Sequence, residues 1–212
     1  MYHKLHYISQ GNTVEEQLKN IQNALDNGCK WIQLRFKNQT DTTCFKLAEA
    51  VKILCEEYLA NFIINDNVSL AQEIAADGVH LGLSDMRIKD ARIILGKTKI
   101  IGGTANTFED IQNHIQNGCD YVGLGPFQFT TTKEKLSPIL GLKGYQSIIQ
   151  QMKNQNIKIP IYAIGGITLN DIEYLMQTGI YGIAVSGLIT HSQKPSELIT
   201  QLNEKLYDNV II

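Results

Sequence analysis

The 212-residue sequence predicts a single-domain (β/α)8 barrel over residues 1–212. Three observations carry this. Eight short apolar, β-branched runs recur along the chain, amphipathic stretches of helical period separate them, and a weak repeat sets a glycine ahead of every second run. Strict strand–helix alternation favours a parallel sheet with helical crossovers. Eight such units in one domain close into a barrel. An open doubly wound sheet is the alternative, but the first strand–helix turn carries no GxGxxG.

The first run, LHYIS (5–9), leads into VEEQLKNIQNALDNG (14–28), where Val14, Leu18, Ile21 and Leu25 share one face. Thr13 is the expected N-cap with Glu16 three residues on, and Gly28 the expected stop. KWIQLRF (30–36) is followed by the helical FKLAEAVKILCEEY (45–58). After NFIIN (61–65), Asn67 opens a helix, and GVHLG (78–82) precedes MRIKDARIIL (86–95). KIIGG (99–103) precedes TFEDIQNHIQNG (107–118), and DYVGLG (120–125) runs into a longer loop. PIYAIGG (160–166) leads to TLNDIEYLMQTG (168–179), and GIAVSG (182–187) to PSELITQLNEKL (195–206). The repeat glycines Gly28, Gly78, Gly118 and Gly179 stand ahead of the second, fourth, sixth and eighth runs.

Composition excludes several classes. Lys+Arg is 19 against Asp+Glu 21, a net charge of −2, which gives no surface for nucleic acid or anionic membrane. MYHKLHYISQ has no apolar signal segment, and runs such as IPIYAIGGITLN are too short to span a bilayer. Cys29, Cys44, Cys55 and Cys119 have no metal-like spacing and read as reduced thiols of a cytoplasmic protein. His80 reads as a core histidine, and His3, His6, His114 and His191 as peripheral, with no HxxxH pair for zinc. A homo-oligomer is compatible with this composition.

In such a barrel the site lies where the strands end. Gln33, Arg35 and Lys37 alternate onto one strand face, away from Leu34 and Phe36. Two cations and an amide on the inward face call for an anion. Asp66 and Asp85 close the next two runs, and either could simply cap the following helix. As a pair beside a cationic strand they suit Mg2+, which binds one or two carboxylates together with phosphate oxygens. Gly165-Gly166 and Ser186-Gly187 end the last two runs, where this fold builds phosphate sites from backbone amides. Thr104 and Asn106 lie between these poles, and Thr130, Thr132 and Lys133 sit on the loop that can reach over them. Two anion sites in one mouth suggest that two phosphorylated substrates are joined.

These residues, in this order, resemble the thiamine phosphate synthase family. The motifs are QLRFK (33–37), IND (64–66), ADGVHLGLSD (76–85), IIGGTA (100–105), DYVGLGPFQFTTTK (120–133), PILGL (138–142), AIGGI (163–167) and GIAVSG (182–187). The resemblance implies an alkyl transferase of thiamine biosynthesis. It would join 4-amino-2-methyl-5-hydroxymethylpyrimidine diphosphate to a hydroxyethylthiazole phosphate, with loss of pyrophosphate and, from the carboxylated thiazole, of CO2. It further implies pyrimidine-diphosphate contacts at Gln33, Arg35, Lys37, Asn65, Thr104 and Lys133. Mg2+ ligands would fall at Asp66 and Asp85, and thiazole-phosphate contacts at Thr130, Thr132, Gly166, Ser186 and Gly187. The chain departs from the family at Thr104 (commonly Ser), Asn106 (His), Leu83 (Gln) and Ser186-Gly187 (Ile-Ser). A related barrel isomerase, the thiazole tautomerase, carries a His soon after the sixth strand, where this chain reads Gly125-Pro126-Phe127-Gln128. A non-catalytic phosphate sensor on this fold is the other alternative, but every charged site residue is retained.

Overall fold

Alternation along each strand divides the side chains between two cores. The computed structural model describes residues 2–130 and 137–207. Its strands are β1 (Leu5–Ile8), β2 (Trp31–Leu34), β3 (Asn61–Asn65), β4 (Gly78–Leu81), β5 (Ile100–Ala105), β6 (Tyr121–Leu124), β7 (Ile161–Ile164) and β8 (Gly182–Val185). All pair in parallel, in sequence order, and β8 returns to β1 to close the barrel. The helices are α1 (Val14–Asp26), α2 (Asp41–Glu57), α3 (Val68–Glu73), α4 (Ile88–Leu95), α5 (Phe108–Gln116), α6 (Gly141–Asn154), α7 (Ile172–Thr178), α8 (Gly187–Thr190) and α9 (Pro195–Tyr207). Ile32, Leu34, Phe62, Ile64, Val79 and Leu81 belong to the core shared with the helices. Trp31, Ile63, Tyr121 and Tyr162 fill the barrel itself, with the Trp31 ring edge-on to Tyr121 at 5.2 Å and to Tyr162 at 5.5 Å.

The second strand is shorter than the run KWIQLRF (30–36) predicts. It stops at Leu34 because side chains take over the backbone groups of the next residue. The Arg35 amide donates to Ser9 Oγ at 2.9 Å, and Gln17 Nε2 donates to the Arg35 carbonyl at 3.1 Å. Arg35 and Lys37 therefore stand on an anchored loop just above the strand. The repeat glycines have two physical causes rather than one. Gly28, Gly118 and Gly179 follow helices with φ of +100°, +83° and +99°, where a side chain is strained. Gly78 is instead the first residue of β4, where a Cβ would lie 2.0 Å from the Ile100 carbonyl oxygen. At α1, Thr13 Oγ1 accepts from the Glu16 amide as expected, but Glu16 returns its carboxylate to Asn12 N–H.

Two histidines expected at the periphery are buried. His6 alternates inward on β1, 1% exposed, with its ring 5.1 Å from Trp31. His114 lies on the buried face of α5 and donates from Nε2 to the Thr104 carbonyl at 2.7 Å. Burial, with a smaller push from His80, holds the His6 pKa well below the ordinary value. A depressed folded pKa gives stability that is present above the unfolded value, about 6.5, and lost as pH falls toward the folded one. His6→Phe is expected to flatten the loss of urea stability between about pH 7 and pH 5; a loss as steep as in the parent chain would contradict this assignment.

Candidate active site

At the C-terminal ends of β2, β3 and β4, polar side chains meet in one cluster. Gln33 points into the barrel mouth, buried, and donates from Nε2 to Asn65 Oδ1 at 2.7 Å. Lys37 Nζ lies 2.7 Å from Asp66 Oδ2, the lysine half exposed. Arg35 is half-buried and makes no ion pair among the described residues.

The plain reading of the two aspartates as helix caps is not what the structure has. Asn67 caps α3 by accepting from the Leu70 amide, and Arg87 holds the N-cap position of α4. Asp66 adopts φ +64°, a left-handed conformation uncommon outside glycine, with its amide donating to the His80 carbonyl at 2.8 Å. Asp85 accepts from the Gly82 amide at 2.7 Å. Burial raises the Asp85 pKa, and hydrogen-bonding contact with the Asp66 carboxylate and its charge raise it further; Gly82 N–H and the Lys37 ammonium act against this. Two carboxylates in contact are a repulsive arrangement that a cation relieves. With Asp85→Asn the repulsion goes, while the Gly82 contact is kept. This variant is expected to raise the melting temperature of the metal-free protein at neutral pH by about 1–3 °C, solvent screening holding the gain down. A fall in melting temperature would contradict the crowding of these carboxylates.

The opposite pole is built by β6, β7 and β8. Gly165 and Gly166 have φ of +89° and +69°. The start of the β6–α6 loop is stitched along them: the Phe127 amide donates to the Ile164 carbonyl at 2.8 Å, and the Gln128 amide to the Gly165 carbonyl at 2.9 Å. A Cβ on Gly166 would lie 2.5 Å from the Phe129 carbonyl oxygen. Thr130 thus follows directly on the segment that touches Gly166. Ser186 precedes α8, a short helix that the pattern of residues does not predict, and its Oγ lies 3.3 Å from Gln10 Oε1. Thr104 lies inside β5 between the two poles and is buried. Asn106 ties the mouth to the loop, donating to the Gly125 carbonyl and accepting from Ser137 Oγ at 2.8 Å. Thr132 and Lys133 lie outside the described residues. Ser9, Gln17 and Tyr121 are not singled out by sequence reasoning. Gln17 carried a signal, a buried polar residue on the apolar face of α1.

Asp66 and Asp85 bring two carboxylates to the mouth; among the described residues no group of three His, Cys, Asp or Glu comes together. A cavity of about 370 Å³ near Met152, Lys153, Pro160 and Tyr181 lies at the other end of the barrel and touches none of the mouth residues.

Fold and mouth together define a (β/α)8-barrel enzyme with its site at the strand C-termini. Residues 5–189 match the family described as thiamine monophosphate synthase. A thiamine-phosphate synthase of Flavobacterium johnsoniae is 70% identical over 212 residues, all of both chains. One of Phocaeicola vulgatus is 52% identical over 192 residues, covering 91% of this chain and 92% of its own. The solved structure of a thiamine phosphate pyrophosphorylase from Pyrococcus furiosus superposes with a TM-score of 0.85 at 28% identity, over 98% of this chain and 97% of that one. A 3-hexulose-6-phosphate synthase, at 15% identity and a TM-score of 0.72, shares the fold alone. The chain belongs to the thiamine monophosphate synthase family and is a transferase of that type.

Proposed function

We propose that this mouth joins 4-amino-2-methyl-5-hydroxymethylpyrimidine diphosphate to a (carboxy)hydroxyethylthiazole phosphate in a Mg2+-dependent, dissociative substitution. The observation that carries the reading is the pairing of the Asp66 and Asp85 carboxylates beside Lys37. An all-oxygen donor set with positions left for phosphate oxygens fits Mg2+. Asp66 and Asp85 would hold the ion, which would supply positive charge against the departing diphosphate.

The chain's own residues do the rest. The side-chain Gln33–Asn65 hydrogen bond leaves Gln33 Oε1 as acceptor and Asn65 Nδ2 as donor for the aminopyrimidine. Arg35, fixed through its backbone by Ser9 and Gln17, holds the diphosphate, with Lys37 and Lys133 as further cations. Thr104 contacts the same substrate. The C–O bond to the diphosphate breaks with its electron pair leaving on pyrophosphate, and the aminopyrimidine donates electrons to the carbon left behind. The thiazole nitrogen gives its lone pair to that carbon and the C–N bond forms; a carboxylated thiazole then also loses CO2, and the ring carbon it leaves takes a proton. Thr130, Thr132, Gly166, Ser186 and Gly187 hold the thiazole phosphate so that the nitrogen is in line. No general base is needed, and His80, below the mouth on β4, is engaged by Tyr121 and Thr104.

The test is incubation with both substrates and Mg2+, with thiamine phosphate read by fluorescence after oxidation. Product is expected only when both substrates and the divalent ion are present. Full activity in excess chelator would remove the metal from the proposal.

A further inference from the structure

Below Thr104, two strands leave out their side chains. Gly102 of β5 lies in register with His80 of β4 and Tyr121 of β6. A Cβ on Gly102 would sit 2.2 Å from Tyr121 Cζ, and one on Gly123 would sit 3.1 Å from His80 Cε1. The tyrosine ring occupies the space over β5, the histidine ring leans toward β6, and the two meet. His80 Nδ1 is 3.1 Å from the Tyr121 hydroxyl, and His80 Nε2 is 3.0 Å from Thr104 Oγ1. Trp31, Tyr162 and His6 pack round Tyr121, so this chain of polar atoms rises through an aromatic layer into the mouth.

We propose that Tyr121 and His80 are positioning residues that fix Thr104 as a hydrogen-bond donor to the pyrimidine diphosphate. The Tyr121 hydroxyl carries one hydrogen, and among the described residues its hydrogen-bond partner is His80 Nδ1. A buried hydroxyl hydrogen without an acceptor is costly, so Tyr121 donates and Nδ1 accepts. An imidazole that accepts on Nδ1 carries its proton on Nε2, and Nε2–H then donates to Thr104 Oγ1. The threonine oxygen is thereby used as an acceptor, and its own hydrogen is left for an acceptor in the mouth. The other tautomer would draw the threonine hydrogen inward, offer the substrate only lone pairs, and strand the Tyr121 hydrogen. The Thr104 backbone is held separately, by His114 Nε2–H on its carbonyl.

The inference rests on Thr104 contacting the pyrimidine diphosphate, so its test has one arm without substrate and one with. In histidine-15N-labelled protein, long-range 1H–15N correlation is expected to show His80, assigned by its loss in His80→Gln, as the Nε2–H tautomer. Tyr121→Phe should move it toward Nδ1–H. A wild-type Nδ1–H signature would overturn the proposal whatever the enzyme turns over. In kinetics, Tyr121→Phe is expected to lower kcat/KM for the pyrimidine diphosphate about tenfold, the size of one hydrogen bond. His80→Gln, which can still donate toward Thr104, should retain more activity than His80→Leu. In a Thr104→Val background, Tyr121→Phe should change little. Equal losses in both backgrounds would mean that Tyr121 acts elsewhere, and would sink the proposal. An Nε2–H tautomer in a protein inert toward both substrates would leave the hydrogen-bond chain standing and reject the substrate assignment, and with it the donor role.

Discussion

Asp66→Ala and Asp85→Ala are each expected to lower kcat/KM by about 10²–10³ without unfolding the chain, the size of one lost charge-stabilising contact at a developing anion. The fold should survive because neither carboxylate caps a helix: Asn67 and Arg87 occupy those positions. Asp85 gives up one hydrogen bond, from Gly82, but also the contact with Asp66 that raises its pKa. Asp66→Ala leaves Lys37 without its partner at 2.7 Å, and since that lysine is half exposed the cost to stability is small. The loss should therefore be one of activity. It should be accompanied by loss of the response to added Mg2+, measured as the slope of rate against metal concentration. A variant with parental activity and an unchanged metal response would take the aspartates out of the site.

Gly166→Val is expected to act at the other pole and to cost both stability and substrate. Its φ of +69° is strained for a β-branched residue, by about 1–2 kcal/mol. The new Cβ would meet the Phe129 carbonyl oxygen at 2.5 Å, a backbone atom that cannot rotate away. The segment leading to Thr130 must move, and with it the approach of the phosphate to backbone N–H groups. The expected result is a melting temperature lower by about 4–8 °C, from roughly 2 kcal/mol of strain in a chain of this size. KM for the thiazole phosphate should rise at least about tenfold, the equivalent of one lost hydrogen bond to a charged group. Arg35→Ala is the counterpart, expected to raise KM for the pyrimidine diphosphate instead. If both changes weakened the same substrate equally, the two poles would not be separate sites.

Much of this was readable beforehand because β-strand periodicity is local. Gln33 falls between Ile32 and Leu34, so once the apolar pair faces the helices the amide must face the mouth. Asn67 as a helix start and Gly28 as a stop follow from cap chemistry in the same way. What was not readable depends on contacts between distant segments. The end of β2 is set by Ser9 and Gln17, residues 26 and 18 positions from Arg35. Whether Asp66 caps a helix or faces a partner turns on a backbone angle of +64° that no propensity specifies. His6 reads as peripheral in the sequence, where a lone polar residue in a short apolar run does not say which face it takes. Its burial is decided by the pairing of β1 with β8 and with β2, whose Trp31 packs against the His6 ring. Asn106 stands where the family commonly has His, and its ties to Gly125 and Ser137 give the residue a use in anchoring the loop.

Two anions held at separate poles of one mouth are what the proposed joining reaction requires. Calorimetric titration of the chain with inorganic pyrophosphate tests this most directly, carried out with and without Mg2+ and repeated at saturating thiazole phosphate. Pyrophosphate is expected to bind in the presence of Mg2+, to bind far more weakly without it, and to keep its affinity when thiazole phosphate is present. Displacement of pyrophosphate by thiazole phosphate, or binding indifferent to Mg2+, would contradict the two-pole assignment.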